Sequence, residues 1–216
     1  MRLGLLIALV ALSCSCALTS RSETLPMRYF SAEGLARGPA PKLPGGGELS
    51  LRLERVRSSS HLGEPIAYRT SEHELGYYDE ERWTERPEAF LERGLERALF
   101  QERGVTRVIG GASEALSVEL VAFEEVRGPQ PVARLVATLT LHDERSAQLE
   151  QTIRVERPIP NTGKDAAARA VAALSAALDE AVQQIAQSVT QRLQVLAAND
   201  TSPRDPQQPA AAAAAR

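Results

Sequence analysis

Three consecutive stretches in the second half of the chain alternate apolar and polar residues: Leu116, Val118, Leu120 and Ala122, then Leu135, Ala137, Leu139 and Leu141, then Leu149, Ile153 and Val155. A side-chain period of two belongs to a strand with one face buried and the other wet. Gly128-Pro129 and Asp143-Glu144-Arg145-Ser146 separate the stretches as turn-forming residues, so the segments predict an antiparallel meander. Such a sheet needs a cover for its apolar face. From Lys164 to Ala197 the residues Val171, Leu174, Leu178, Val182, Ile185, Val189, Leu193 and Leu196 recur at spacings of three and four, which is a helix with one apolar stripe. Its polar face carries glutamines, Asp179 and Glu180 and few basic residues, which favours packing on a sheet over lying on an anionic membrane. Helix on sheet is an α+β layer arrangement.

The first half adds shorter elements to that frame. Met27 to Ser31 reads as a first strand, Leu49, Leu51 and Leu53 alternate with polar neighbours, and Pro65 to Tyr68 and Leu75 to Asp79 read as two more short strands. Between them, Gly34 to Gly47 reads as a loop, and Gly45-Gly46-Gly47 lacks the following Lys-Ser/Thr of a phosphate-binding loop. A shorter helix is predicted from Pro87 to Arg103, with Phe90, Leu91, Leu95, Ala98 and Leu99 on one face. Pro87 suits the first turn, where its missing N–H is not needed, and Gly104 supplies the stop before a strand at Val105 to Ile109. The fold class is therefore α+β: a mainly antiparallel sheet covered by a long C-terminal helix and a shorter inserted helix. At 216 residues and 43% apolar content the chain can build one core, and with 4% aromatics that core is chiefly aliphatic.

Ahead of this domain the N-terminus has a secretory layout: Arg2, the apolar run Leu3 to Leu12, then Ser13-Cys14-Ser15-Cys16. The run is well short of the roughly 20 residues a membrane-spanning helix requires. Cysteines directly after the apolar region, each preceded by a small residue, resemble a lipobox. We expect residues 1–15 to be a lipoprotein signal peptide, Cys16 to be the acylated residue with Cys14 as the alternative, and 16–26 to be a tether. Its polar part, Thr19 to Pro26, reaches only about 15 Å on average, so the domain at 27–197 would sit close to its membrane. Neither Ala17 nor Ser15 is the aspartate that resembles an inner-membrane retention signal, and the expected location is the outer membrane, facing the periplasm. The Pro/Ala-rich segment 198–216 is expected to be disordered.

A net charge of −3 with interleaved signs gives no basic stripe for nucleic acid. His61, His73 and His142 lie in separate segments without acidic or cysteine partners at ligand spacing, so neither a metal nor a cofactor is expected. There is no Gly-x-Ser-x-Gly elbow. Acidic pairs such as Glu80-Glu81 and Glu124-Glu125 read as solvated charge without a role. No catalytic residue is assigned, and the expectation is a binding protein, not an enzyme.

The aromatics gather in the run from Ile66 to Phe100: a Tyr68-Arg69 pair, a stretch holding Tyr77, Tyr78 and Trp83, an acidic link to Pro87, and an amphipathic helix. This run, with the lipobox, early strand, inserted helix and long final helix in that order, resembles the ABC-type transport auxiliary lipoproteins over about Met27 to Gln194. The resemblance implies a periplasmic lipoprotein that works with an MCE-domain protein and an inner-membrane ABC permease and ATPase in moving lipids between membranes. Tyr68, Trp83 and Pro87 are read as anchoring the first helix to the sheet. Arg69, Tyr77 and Tyr78 are read as a candidate partner-contact patch, since exposed aromatics and arginine are enriched at interface hot spots. A homo-oligomer would suit a conduit. The competing class is an outer-membrane lipoprotein that activates a cell-wall synthase or acts as an envelope assembly factor.

Overall fold

The three period-two stretches become the three longest strands. In the computed structural model the residues described are 26–33, 49–110 and 113–201. Cys14, Cys16, the signal and tether as far as residue 25, the Gly-rich loop from Gly34 to Gly47 and the tail from residue 202 onward lie outside them. Among the described residues the strands are β1 (Arg28–Phe30), β2 (Ser50–Leu53), β3 (Arg57–Ser58), β4 (Pro65–Arg69), β5 (Leu75–Trp83), β6 (Thr106–Arg107), β7 (Ala115–Val126), β8 (Val132–His142) and β9 (Ala147–Pro158). The helices are α1 (Pro87–Glu96), which continues into a π-helical turn at Arg97–Glu102, and α2 (Ala166–Thr201).

The meander is β7, β8 and β9, paired antiparallel from Ala115↔His142 to Val126↔Val132 and from Val132↔Pro158 to His142↔Ala147. Its second turn is closed by Asp143, whose Oδ1 accepts from the Arg145 and Ser146 amides at 2.6 and 2.7 Å. On the other side of β7 the pairing is parallel: β2, β3 and β4 follow one another along it. β5 then pairs antiparallel with β4, β1 lies parallel outside β5, and β6 parallel to β2. The fold is thus α+β with its longest pairings antiparallel, as expected, but the sheet is mixed. Strand direction is set by crossovers, and a period of two carries no record of it.

A register shift between Leu120 and Ala122 changes which residues of β7 face the core. Up to Leu120 the even positions are inward; beyond it Phe123 takes over, opposite Leu135. One face of the meander, with Ala133, Leu135, Ala137, Leu139, Leu141, Ile153 and Val155, is buried under α2. α1 packs between α2 and β7. Trp83 is buried at this junction, with ring centroids 5.2 Å from Phe123 and 6.0 Å from Phe90. Gly94 lets the two helices approach: a Cβ there would lie 2.7 Å from Val182 Cγ2.

Element boundaries follow local chemistry. Pro87 opens α1, and the amide of Arg103 reaches back five residues to the Ala98 carbonyl at 3.2 Å before Gly104, at φ +68°, ends the turn. α2 starts where Asp165 Oδ1 accepts from the Ala168 amide at 3.0 Å, an N-cap bond. It runs to Thr201, so residues 198–201, expected in the disordered tail, are helical; nothing before Pro203 obstructs the helix. The strand expected over Val105 to Ile109 shrinks to Thr106–Arg107, because its partner β2 offers only Ser50 and Leu51, and Ile109 is left 92% exposed.

Candidate functional site

The β4–β5 hairpin and the adjoining end of β7 bring together Tyr68, Arg69, Tyr77 and Tyr78. Tyr68 stands opposite Gly76 on β5 and Glu125 on β7, while Ala67 stands opposite Tyr77 and Glu124. Residues in register share a face, so Tyr68, Gly76, Tyr78 and Glu125 belong to the α2 side of the sheet, and Arg69, Tyr77 and Glu124 to the open side. The expected patch of Arg69, Tyr77 and Tyr78 is therefore divided between two faces that meet at the sheet end.

On the α2 side the Tyr78 hydroxyl donates to Glu125 Oε2 at 2.6 Å, and Arg127 Nε donates to the same oxygen at 3.0 Å. The Arg127 guanidinium lies 3.3 Å from the Tyr68 ring centroid and 4.9 Å from that of Tyr78, and the two rings meet edge to face at 5.7 Å. Gly76 is what admits the Tyr68 ring, since a Cβ there would lie 2.5 Å from Cζ. Burial, helped by the hydrogen bond to Glu125, pushes the Tyr78 hydroxyl up to about 12. Arg127 is held above its ordinary value: burial opposes its charge, but the bonds to Tyr78 and Glu125 prevail.

On the open side Arg69 Nε donates to Glu124 Oε1 at 2.9 Å, and Arg134 Nη2 donates to the same oxygen. Arg69 Nη1 also donates to the Glu72 carbonyl at 3.1 Å, which ties down the polar hairpin turn. Burial would raise the Glu124 carboxyl; the hydrogen bonds and charges of Arg69 and Arg134 outweigh it and hold the group below the usual carboxylate range. Its Oε2 has no partner among the described residues. Arg69, Thr70, Ser71, Glu72, Val126 and Arg134 line a cleft of about 310 Å³, and a second of about 270 Å³ lies along Tyr68, Tyr77, Tyr78, Asp79, Glu80, Glu81 and Arg127. Tyr77 stands at the rim, 39% exposed, its hydroxyl donating to the His61 carbonyl at 3.0 Å.

The reading of Glu124-Glu125 as solvated charge is corrected: Glu124 is fully buried and Glu125 is 8% exposed. With Arg127 and Arg134 they are the members of the cluster that pattern reading missed. A signal was present, because Glu124 continues the inward phase of Leu116 to Ala122 and a charge in that phase marks either a bulge or a buried partner. Both occur. Trp83 and Pro87 are buried at and beyond the other end of β5, and Tyr68 is half-buried. Chemically, Glu124 is fixed as a carboxylate and Tyr78 as a phenol across the neutral range, so these two groups suit rigid recognition and not proton transfer, which calls for a pKa near the working pH.

The described residues contain no helix long and apolar enough to cross a membrane. No curated protein matches the chain. Among solved structures it is similar to a Xanthomonas campestris protein of the DUF330 family, at 17% identity and a TM-score of 0.65, covering 79% of this chain and 99% of that one. It is similar also to an uncharacterized protein at 14% identity and a TM-score of 0.57, covering 76% and 99%. At these identities the likeness is one of fold. The family model for the ABC-type transport auxiliary lipoprotein component matches residues 34–186, which takes in β2 to β9, α1, the cluster and most of α2. The chain belongs to that family of auxiliary lipoproteins of the cell envelope.

Proposed function

We propose that this protein is anchored through acyl chains on Cys16, with Cys14 as the alternative, on the periplasmic side of the outer membrane. There it serves, by binding and without catalysis, as the auxiliary subunit of an ABC/MCE-type lipid transport system. The observation that carries the reading is the family match across β2 to β9 and the cluster at the sheet end. Support comes from the cluster itself, in which the exposed Tyr77, its hydroxyl fixed on the His61 carbonyl, stands in register with the buried, ion-paired Glu124. A preorganised aromatic loses little entropy on docking. Tyr77 and Arg69 on the open side are the residues we assign to the partner, with Tyr78 contributing from the α2 side where the two faces meet.

The test is a crosslinking pull-down of the tagged, full-length protein from native membranes, with Cys16→Ala and Cys14→Ala variants alongside, read by mass spectrometry. The expected result is recovery of an MCE-domain protein with its permease and ATPase, lost when the acylated cysteine is removed. Recovery of cell-wall synthases in their place would reject the transport role. Loss of membrane retention with Cys14→Ala and not Cys16→Ala would move the anchor to Cys14.

A further inference from the structure

We propose that the free edge of β9 pairs with the same edge of a second copy of this chain, antiparallel about a two-fold axis at Thr152. β9 is twelve residues long and is hydrogen-bonded to β8 on one side only; among the described residues no strand covers its other side. An open edge of this length is a template for pairing unless something blunts it. The usual devices are a bulge at the edge, a proline within it, or charges that repel a second strand. Pro158 ends β9 and does not interrupt it, and the one irregularity in its pairing is at the far end, by His142.

The charges of β9 do not repel a second copy; they match it. With Thr152 on the axis, Glu150 falls opposite Arg154 of the second copy, and Arg154 opposite its Glu150, so two cross-strand ion pairs flank the centre. Leu149 meets Val155 of the second copy on the α2 side, and Thr152 meets itself. Shifting the axis to Glu150 or to Arg154 sets that residue against its own copy, and shifting it to Ile153 sets Glu150 against Glu156. An axis at Gln151 pairs no charges, and one at Val155 pairs Arg154 with Glu156 but leaves barely half the strand overlapped. Like charges directly opposite in a sheet are destabilising and unlike ones favourable, so the strand selects one register. Glu150, Thr152, Arg154 and Glu156 are all exposed, and the three charged residues make no ion pair with any described residue.

The second layer permits the pairing. α2 packs on both β8 and β9, antiparallel to β9, with Glu180 on Arg157 at 2.6 Å and Arg192 on Gln148 at 3.2 Å. Strands spaced about 4.8 Å apart then set the two α2 helices about 10 Å apart across the axis, near the ordinary helix-packing distance. The dimer is one continuous sheet with both long helices on the same face, and it leaves the cluster at the β4–β5 end open in each copy.

The experiment is sedimentation equilibrium of the detergent-solubilised, full-length protein. Wild type is expected to dimerise. Glu150→Arg or Arg154→Glu alone should raise the dimer dissociation constant about tenfold or more, and the double variant Glu150→Arg/Arg154→Glu should restore it. Because both side chains are exposed, the thermal unfolding of each variant should match wild type at protein concentrations below the dimer dissociation constant, where no subunit contact adds to stability, which separates a lost contact from a lost fold. A wild type that stays monomeric, a self-association indifferent to both reversals, or a double variant no better than the single ones would each overturn the proposal.

Discussion

Glu124 is the residue on which the open side of the site depends. Its carboxylate is buried, and two guanidiniums converge on one of its oxygens. Removing it would leave Arg69 and Arg134 facing each other without a counter-charge. Glu124→Gln is expected to destabilise the domain by about 3 kcal/mol in urea denaturation, the low end for a broken buried pair because both arginines keep some solvent. Its folded-state pKa is depressed, so the stability it contributes is complete above the unfolded carboxylate value of about 4.3 and is lost as pH falls through the lower folded value. The acid limb of the stability curve should therefore be flatter in Glu124→Gln than in wild type. Tyr78 behaves in the opposite sense. Raised to about 12, it contributes stability below the unfolded tyrosine value of about 10 and loses it as pH rises between the two. In ultraviolet titration wild type is expected to show a highest-pH phase of phenolate absorbance that Tyr78→Phe lacks.

At the scale of elements, the contact between α1 and α2 turns on the absence of one carbon. Alanine at position 94 would gain about 0.5–1 kcal/mol of helix propensity over glycine, yet its Cβ would overlap the stiff, buried Val182. Gly94→Ala is expected to be net destabilising by about 1 kcal/mol, and Gly94→Ala/Val182→Ala less so than the sum of the single changes, as a double-mutant cycle in urea would show. The elements themselves were largely legible. Periodicity located β7, β8, β9 and α2, and the pairing of Pro87 with Gly104 bounded the shorter helix, because in each case a local rule and the tertiary environment agree. The parallel placement of β2, β3 and β4 beside β7 was not legible, because each is too short to state its direction. The bulge after Leu120 was missed for a related reason: simple alternation through Ala122 hides the step that turns Phe123 inward. That step moves Glu124 to the open side, which is why half of the candidate site, the ion pairs of Glu124 and Glu125, stayed out of reach while its tyrosines did not.

For the molecule as a whole, β7 is the seam between a local half and a distant one. To one side the meander and α2 follow in sequence; to the other, strands from some sixty residues earlier arrive in parallel. Contacts that bridge the two halves meet at Trp83, Phe90 and Phe123, each from a different element. Trp83→Ala should cost about 3–5 kcal/mol in chemical denaturation, by the usual scale for a large buried aromatic. Trp83 is also the only tryptophan in the chain. Shielded from water by two phenylalanines, it should emit at short wavelength while the halves are joined and shift to the red when they part. The protein thus carries its own optical gauge of whether β7 is still sewn to both sides, placed away from both the Tyr77 rim and the edge of β9, so that the colour of its emission can tell a partner that has let go from a fold that has come undone.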